Sequence, residues 1–425
     1  MPPLKGVSGL ESSRLDGRVA HWQRFRTGDF DQKWNSSKLI IREGKTAIAP
    51  LLELLSDLNA DAETHWFTIR ALGHFPEPDV IAAIAAQIDN TAYVNRTAEQ
   101  VTELSAFAIE TLAAMGPVAV TVLSQLLEQP QRRLLAAKAL NQVRSTGVIP
   151  AMVSVAGDND AKVRYYAVDA LGSFHSAAVT PILLVALDDL SAPVRKAAVM
   201  ALGRRQDLQT ACHLSQRLQP LLWDVDLSVS CQTALALGRL GADDSLDALS
   251  QVLLSEHTPM PLRTNAVSAL KWYCDRPGAD LAEHTTQRAF ALLNDALKQF
   301  CFGAKAGAFQ TLTAEETAQI VVAIVRVMGD LRHGAMAQHS TQCLIDSLQA
   351  EPAAVVIQVI AMALAGLGQP QAFDALLPLL NHPVDAVLIH TIAALKRLDP
   401  DQSFERVSTY LERCPSNRAN VLKLW

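Results

Sequence analysis

The chain has 425 residues, a formal net charge of −6 and a hydrophobic content of 49%, with 19% charged and 5% aromatic residues. A chain of this length and apolar content can bury an extensive core. Its acidic balance argues against a dedicated nucleic-acid binder, which would carry a basic stripe.

The first 34 residues precede the first clear repeat and interleave arginines with aromatic residues, including Arg24, Phe25, Phe30 and Trp34. This segment is either a solvated cap or an arm that docks an acidic partner. It lacks the apolar core of a secretory signal. The longest apolar stretch, Ala353–Leu367, contains Gln358 and is too short to span a bilayer. We therefore expect a cytoplasmic protein without a membrane span.

From about residue 35 the word Ala-Leu-Gly returns at a nearly fixed step. It occurs at residues 71–73, 170–172, 201–203 and 236–238, with degenerate copies elsewhere. Such a period indicates stacked supersecondary units. Apolar residues recur three and four apart around each copy, which predicts amphipathic helices. We expect the glycine to end its helix in the left-handed conformation.

Two polar columns run through the aligned repeats. Asp158 and Asp189 lie in the turns between helices, and Arg164 and Arg195 follow six residues after them. Short acidic side chains can accept hydrogen bonds from the free N–H groups at a helix start. The arginines can bond acids of their own and of neighbouring repeats. The pattern predicts a structural ladder, with an anion-binding stripe as the alternative.

At this level of detail the chain resembles the HEAT family, and more narrowly the phycobilisome (PBS lyase-like) HEAT repeat proteins of cyanobacteria. The resemblance rests on VRYYAVDALGSF at 163–174, VRKAAVMALGRR at 194–205 and ALALGRLGADDSLDALSQVL at 234–253. It implies an all-α fold, a right-handed superhelical solenoid of about ten helical hairpins. In such solenoids the second helices line the concave face, and each repeat contacts only its neighbours.

The column that follows the ladder arginine varies in chemistry while its neighbours stay small and apolar. Together with the residues one helical turn later it gives the candidate partner-binding strip Trp66, Arg70, Tyr165, Asp169, Lys196 and Met200. Aromatic residues and arginine are enriched in binding hot spots. Trp66 and Tyr165 either anchor a partner or fill gaps between helices.

The period is interrupted after residue 274. We divide the chain into an arm or cap at 1–34, a HEAT-like arm at 35–274, an insertion at 275–318, a second HEAT-like arm at 319–400 and a cap at 401–425. Insertions in repeat proteins map to one face and often serve binding. The insertion is therefore a second candidate binding surface.

No catalytic constellation is recognisable: the chain lacks a nucleophile elbow, a P-loop and a dinucleotide fingerprint. The six cysteines do not form a Cys-x-x-Cys pair, so we expect reduced thiols and no metal site, with Cys231 as a weak candidate ligand. No cofactor is expected. A bilin or an iron–sulfur cluster remains an alternative.

Three functions are compatible with these features. The first is a non-enzymatic scaffold or assembly factor of a cyanobacterial photosynthetic or cofactor-assembly pathway, which binds a protein partner along its concave face. The second, implied by the resemblance, is a phycobilin lyase-like role in attaching chromophores to phycobiliproteins. Paired tryptophans typical of those lyases are replaced here by Asp169 and Ala170. The third is an accessory role in iron–sulfur cluster assembly.

Overall fold

The computed structural model describes residues 19–88, 90, 92, 97–275, 280–302, 312–332, 334–414 and 418–425. These residues form helices, turns and irregular connections without a β-strand, as the periodicity predicts. The chain divides into two compact units, 1–198 and 199–425, which we call unit 1 and unit 2. Residues 1–18 of the predicted arm or cap, and parts of the predicted insertion, lie outside the described residues.

Unit 1 is a series of helical hairpins, each with a first helix, a turn and a second helix. The first helices span 19–27, Ile48–Leu55, Pro78–Ala85, Val120–Leu127, Ile149–Val155 and Thr180–Val185. The second helices span Phe30–Arg42, Ala62–Leu72, Ala98–Ala114, Arg133–Gln142, Ala161–Leu171 and Ala192–Leu202, the last containing the unit boundary. From Phe30–Arg42 to Ala161–Leu171, each second helix packs on the second helix of the next hairpin. The second helices therefore form a continuous row.

Unit 2 continues the same pattern. Its first helices span Leu214–Leu218, Ser245–Leu254, Asp280–Phe302, Gly334–Leu348 and Gln371–Leu376, with the short helix Gln209–Cys212 ahead of the first of them. Its second helices span Leu227–Leu240, Met260–Cys274, Ala314–Asp330, Ala354–Leu367 and Asp385–Leu398. The last second helix is flanked by Ser403–Arg413 and Arg418–Leu424.

The predicted insertion contains one long described helix, Asp280–Phe302. It packs against the preceding hairpin and against Ala314–Asp330, and so occupies the first-helix position of a hairpin. The division of the chain into arms, insertion and caps stays a prediction.

The leucine of the repeated word forms the core between hairpins. Leu72 and Leu171 in unit 1, and Leu202 and Leu237 in unit 2, are fully buried. Burying a leucine side chain contributes roughly 1.5–3 kcal/mol to folding. The repetition of this residue therefore sets the register in which the hairpins stack.

The prediction that the repeated glycine adopts a left-handed conformation is wrong. Gly73 and Gly172 have φ angles of −57° and −59°, within the right-handed helical region. The left-handed helix ends lie elsewhere, at Gly241 with φ of 63° and Gly368 with φ of 67°.

The repeated glycine instead permits close packing of neighbouring second helices. A Cβ added to Gly203 would lie 2.5 Å from Cβ of Ala236, and one added to Gly238 would lie 2.8 Å from Cβ of Ala269. Real Cβ atoms do not approach so closely. The glycine is thus required by contact with the following repeat and not by the turn after its own helix.

The acidic residues that cap the second helices also differ from those predicted. Asp160 and Asp226 cap the second helices, accepting hydrogen bonds from N–H groups of the first turn. Asp158 and Asp189 each accept a bond from the backbone N–H two residues later, at 2.8 and 2.7 Å. They stabilise the turn and also bond arginine: Oδ2 of Asp158 accepts from Arg133, and both carboxylate oxygens of Asp189 accept from Arg164.

Candidate functional site

Two parts of the repeat could carry function: the arginine ladder and the exposed face of the second-helix row. In the ladder, Arg164 binds Asp189 of the next hairpin through two parallel bonds, Nε–Oδ2 at 2.7 Å and Nη2–Oδ1 at 2.8 Å. Its Nη1 donates to the carbonyl of Asp158 at 2.8 Å. One guanidinium thus joins its own turn to the following turn.

The same arrangement occurs on either side of this pair. Arg133 donates from Nη1 to Asp158 at 3.0 Å and from Nε to the carbonyl of Leu127 at 2.7 Å. Arg195 donates to the carbonyl of Asp189 at 2.8 Å. The four predicted ladder residues are therefore bonded within and between adjacent repeats of unit 1.

Arg164 and Asp189, the central pair of the ladder, stabilise each other in their charged forms. The hydrogen bond from Arg164 holds the pKa of Asp189 below its ordinary value, and the same bond raises the pKa of Arg164. Both side chains are largely shielded from solvent, with exposed fractions of 16% and 12%. Charge-assisted bidentate bonds in such surroundings are stronger than exposed ion pairs.

Replacing Asp189 by asparagine is expected to lower the free energy of unfolding by about 1–3 kcal/mol at neutral pH, because two charge-assisted bonds to Arg164 are weakened. Since the folded pKa of Asp189 is lowered, its contribution is present above the unfolded carboxyl pKa of about 3.9. It is lost as the pH falls through the folded value. Denaturant unfolding of both proteins across this range measures the difference.

The neighbouring exposed carboxylate of Asp188 supplies the control. Asp188→Asn should change stability little at any pH. A ladder role is contradicted if Asp189→Asn leaves unfolding unchanged but abolishes binding of a partner, because these residues would then belong to a binding site.

The N-terminal part of the predicted strip is an assembled cation–aromatic cluster. The Arg70 guanidinium lies over the Trp34 ring, 3.8 Å from its centroid, and 5.9 Å from the centroid of Trp66. Its Nη1 is buried and has no hydrogen-bond partner within the described part of the chain. The arginine is oriented by indole faces, and part of its donor capacity is unused.

Trp66 is both packed and accessible. Its ring stacks on Phe107 of the next second helix, with centroids 4.6 Å apart, and meets the buried Phe67 edge-on at 5.0 Å. The side chain nevertheless keeps partial exposure. The alternatives of gap filling and partner anchoring are thus not exclusive at this residue.

Tyr165 and Asp169 form the middle of the strip. Tyr165 is half-buried and its ring lies against Tyr166, with centroids 5.3 Å apart. Burial raises the pKa of Tyr165, with a further contribution from the Asp169 carboxylate. Asp169 also accepts a bond from the Asn141 side chain at 3.0 Å. The tyrosine hydroxyl therefore remains protonated and able to donate at neutral pH.

The last two strip residues stand apart from these groups. Lys196 in unit 1 is half-exposed, and Met200 in unit 2 is 37% exposed. The structure brings Trp66 to Arg70 and Tyr165 to Asp169. It shows no contact between these two pairs within the described residues.

Sequence reasoning missed three contributors to this face, namely Trp34, Phe107 and Asn141. Trp34 belongs to the segment that was assigned as an arm or cap, although its helix begins the second-helix row. Phe107 lies in the long second helix Ala98–Ala114, where the step between repeated words is widened. The signal available in the sequence was the presence of aromatic residues near the place where the spacing between repeated words widens.

The thiols offer no assembled metal site. Cys231 is half-buried, and burial raises the pKa of Cys274 to about 12 and that of Cys301 to about 11. Within the described ranges, no group of three or more His, Cys, Asp and Glu side chains is arranged to hold a metal ion.

The corresponding face of unit 2 is cationic. The Arg239 guanidinium lies 5.0 Å from the centroid of the Trp272 ring, and Lys271 forms an ion pair with Asp330. Arg326 lies on Ala314–Asp330, Arg332 follows the end of that helix, and Arg397 lies on Asp385–Leu398. The predicted strip, which ends at Met200, contains no residue of these helices of unit 2.

Comparison with known families identifies the repeats. Residues 119–203 and 149–220 match the family described as HEAT repeats, and residues 359–382 match the family described as PBS lyase HEAT-like repeat. The recognition of HEAT and PBS lyase-like repeats in the sequence is thereby confirmed. No curated protein matches the chain significantly.

Solved structures agree with the fold class. The Kap95:Nup1 complex is similar with a TM-score of 0.51 and 16% identity, over 97% of this chain and 60% of that chain. The CpcE–CpcF complex of phycocyanin lyase from Nostoc sp. PCC7120 has a TM-score of 0.30 and 19% identity, over 57% and 93%. YibA of E. coli has a TM-score of 0.36 and 17% identity, over 64% and 99%. The first similarity supports the predicted all-α solenoid, and the other two carry no argument.

Among the described residues, no helix combines the length and the apolar character needed to cross a membrane.

Proposed function

We propose that this HEAT-repeat chain is a non-enzymatic scaffold or assembly factor that binds a protein partner along its row of second helices. The supporting observation is the mixed aromatic and charged surface of unit 1, where Trp66, Arg70 and Tyr165 keep partial solvent access beside buried apolar residues of their own helices. Such a composition suits a protein partner more than a uniformly charged polymer.

The pre-organised state of this surface strengthens the proposal. The Arg70 side chain is partly exposed and is held against two indole rings, so that a carboxylate or carbonyl of a partner could bind its guanidinium without a large loss of side-chain entropy. Tyr165 presents a rigid ring and a hydroxyl beside Asp169. Rigid amphipathic anchors of this kind dominate the energy of many interfaces.

Replacing Tyr165 and Lys196 by alanine together is expected to weaken the complex by about 2 kcal/mol, roughly a thirtyfold rise in Kd, if Tyr165 is a hot spot. The partner is first identified by cross-linking and mass spectrometry with the purified chain in a cyanobacterial lysate, and is then produced for titration calorimetry. Trp66 is left intact because its stacking on Phe107 also supports the fold.

Tyr166→Ala is the matched control, since it removes the same side chain from the adjacent position of the same helix. It should affect binding much less than the double variant does. If the double variant binds its partner normally while remaining folded by circular dichroism, the strip is not the binding surface.

A second candidate is favoured by one observation, the match of residues 359–382 to the PBS lyase HEAT-like repeat. It is a phycobilin lyase-like role with phycobiliprotein subunits as partners. The scaffold proposal requires no resident cofactor, so the purified protein should show no visible absorbance and should not acquire any on incubation with free bilin. Stable bilin binding would support the lyase-like role, and iron–sulfur absorbance would support the cluster-assembly role.

A further inference from the structure

A cationic groove lies in unit 2, outside the predicted strip. It has a volume of about 450 Å³ and is formed where three successive second helices, Ala314–Asp330, Ala354–Leu367 and Asp385–Leu398, lie side by side. Its charged lining consists of Arg326, Asp330, Arg332, His390 and Arg397. We call this feature the arginine groove.

The arginines of the arginine groove have no paired carboxylate among the described residues. Asp330, the acid in the lining, is paired with Lys271. Arg326, Arg332 and Arg397 form no ion pair with any residue that the structure describes. Three guanidinium groups therefore share one groove of a chain whose formal net charge is −6. Like charges held together repel, and a bound anion would relieve this repulsion.

His390 adds a donor or acceptor to the same groove. Its Nδ1 lies 2.7 Å from the carbonyl oxygen of Ala386, one turn earlier on its helix. A carbonyl accepts only, so Nδ1 carries the proton. This bond fixes the ring and leaves Nε2 as the atom available to a ligand.

The floor of the groove is kept open by Gly366. A Cβ placed there would meet only Nη2 of Arg332 at 3.6 Å and the carbonyl oxygen of Gly329 at 3.8 Å, which are ordinary contacts. At Gly329 the added Cβ would lie 2.7 Å from Cβ of Ala363, so glycine is needed there for packing. Packing makes no such demand at Gly366, although glycine within a helix costs about 1 kcal/mol relative to alanine. Its effect is to leave space beside Arg332.

The dimensions of the groove favour a ligand with several separated carboxylates. Arg326 and Arg397 come from the outer two of three adjacent helices, and neighbouring helix axes lie about 8–10 Å apart. Acidic side chains spaced along a peptide can contact arginines on both sides of the groove. Arginine forms bidentate bonds with carboxylates. Val359 and Met362 supply an apolar portion of the lining for aliphatic side-chain atoms.

We propose that the arginine groove binds an acidic, glutamate- or aspartate-rich segment of a protein partner. This inference rests on the proposed scaffold function and specifies the chemistry of its partner. Arg326, Arg332 and Arg397 hold the carboxylates, His390 contributes a further polar contact, and Gly366 provides the space in which the segment lies.

The test uses the full chain and a fluorescein-labelled peptide of alternating glutamate and alanine, with a glutamine-for-glutamate peptide as its neutral counterpart. Fluorescence anisotropy should show saturable binding of the acidic peptide and at least tenfold weaker binding of the neutral one. Arg326→Gln with Arg397→Gln should weaken acidic-peptide binding at least tenfold. Arg413→Gln with Lys423→Gln removes two exposed charges outside the lining and should have little effect.

Gly366→Leu tests the groove without removing charge. It should weaken acidic-peptide binding at least tenfold while the thermal unfolding midpoint stays equal to that of the wild type or rises. The inference is overturned if the two charge-removal variants weaken binding equally, if the two peptides bind alike, or if Gly366→Leu binds normally. Complete displacement of the peptide by millimolar inorganic phosphate would indicate a general anion site and also overturn it.

These outcomes are separable from failure of the scaffold proposal. If Tyr165→Ala with Lys196→Ala weakens a natural complex but the groove variants bind the acidic peptide normally, the scaffold function stands and the groove assignment fails. If the acidic peptide binds as expected but no natural partner depends on Tyr165 and Lys196, the groove assignment stands and the unit 1 surface fails.

Discussion

Replacing Arg263 by methionine is expected to destabilise the protein by about 3–5 kcal/mol, because buried carbonyl groups would lose their donors. Arg263 is fully buried. Its Nε, Nη1 and Nη2 donate to the carbonyls of Thr258, Leu253 and Ser255, at distances of 2.9, 2.9 and 2.5 Å. Methionine keeps much of the side-chain volume but offers no donor. Urea unfolding followed by circular dichroism measures the loss.

Burial lowers the pKa of Arg263, yet an arginine remains charged at physiological pH. Its bonds to carbonyls are therefore charge-assisted. The control is Arg204→Met in the same unit, where Nε bonds the carbonyl of Met200 at 3.1 Å on an exposed surface. That change should cost less than about 0.5 kcal/mol. Equal effects of the two substitutions would contradict a structural role for Arg263.

Replacing Leu202 by alanine is expected to cost about 2–5 kcal/mol, the sum of lost transfer free energy and of the cavity that remains. Leu202 is fully buried beside Gly203, whose contact with Ala236 limits how far the helices can close over a cavity. The loss should appear as a lower denaturation midpoint.

Leu190→Ala provides the comparison, since Leu190 has an exposed fraction of 97% and lies in a turn of the same sequence repeat. It should change stability by no more than about 0.5 kcal/mol. If Leu202→Ala were equally mild, the repeated leucine would not be the packing element that its burial indicates.

The repeat architecture could be predicted because it depends on local periodicity. Leu72, Leu171 and Leu237 are buried as their spacing requires, and Arg164 reaches Asp189 because the same two residues recur in consecutive turns. Each of these interactions lies within one hairpin or between neighbours. The repetition of these residues along the sequence is therefore enough to predict their contacts.

The features that could not be predicted depend on which residue of a neighbouring repeat a side chain contacts. Arg263 shares the ladder column with Arg164, but its guanidinium donates to the carbonyls of Leu253, Ser255 and Thr258 around its own turn. The glycine of the repeated word was assigned to a helix end because sequence alone shows its own helix and not the alanine that packs against it. At Gly366 the lack of a side chain has a different effect, because it is not needed for packing and leaves space in the arginine groove.

The candidate site was recognised only in part for the same reason. Trp66 and Arg70 share one helix and were found by spacing, whereas Trp34 meets Arg70 from another hairpin. The arginine groove combines residues contributed by three neighbouring hairpins. Residues that converge only through stacking leave little signal in a single sequence.

The close contacts of glycine with alanine determine where unit 2 can deform. Gly203, Gly238 and Gly329 each bring a backbone into contact with the next second helix, and such joints resist shear because any sliding would bring Cα and Cβ atoms into collision. Between Met260–Cys274 and Ala314–Asp330 the equivalent position is Lys271, which is joined to Asp330 by an ion pair. An ion pair between partly exposed side chains tolerates displacement and weakens with salt. We therefore expect this joint to be more compliant than the glycine–alanine joints on either side of it, and ionic strength should control its stiffness.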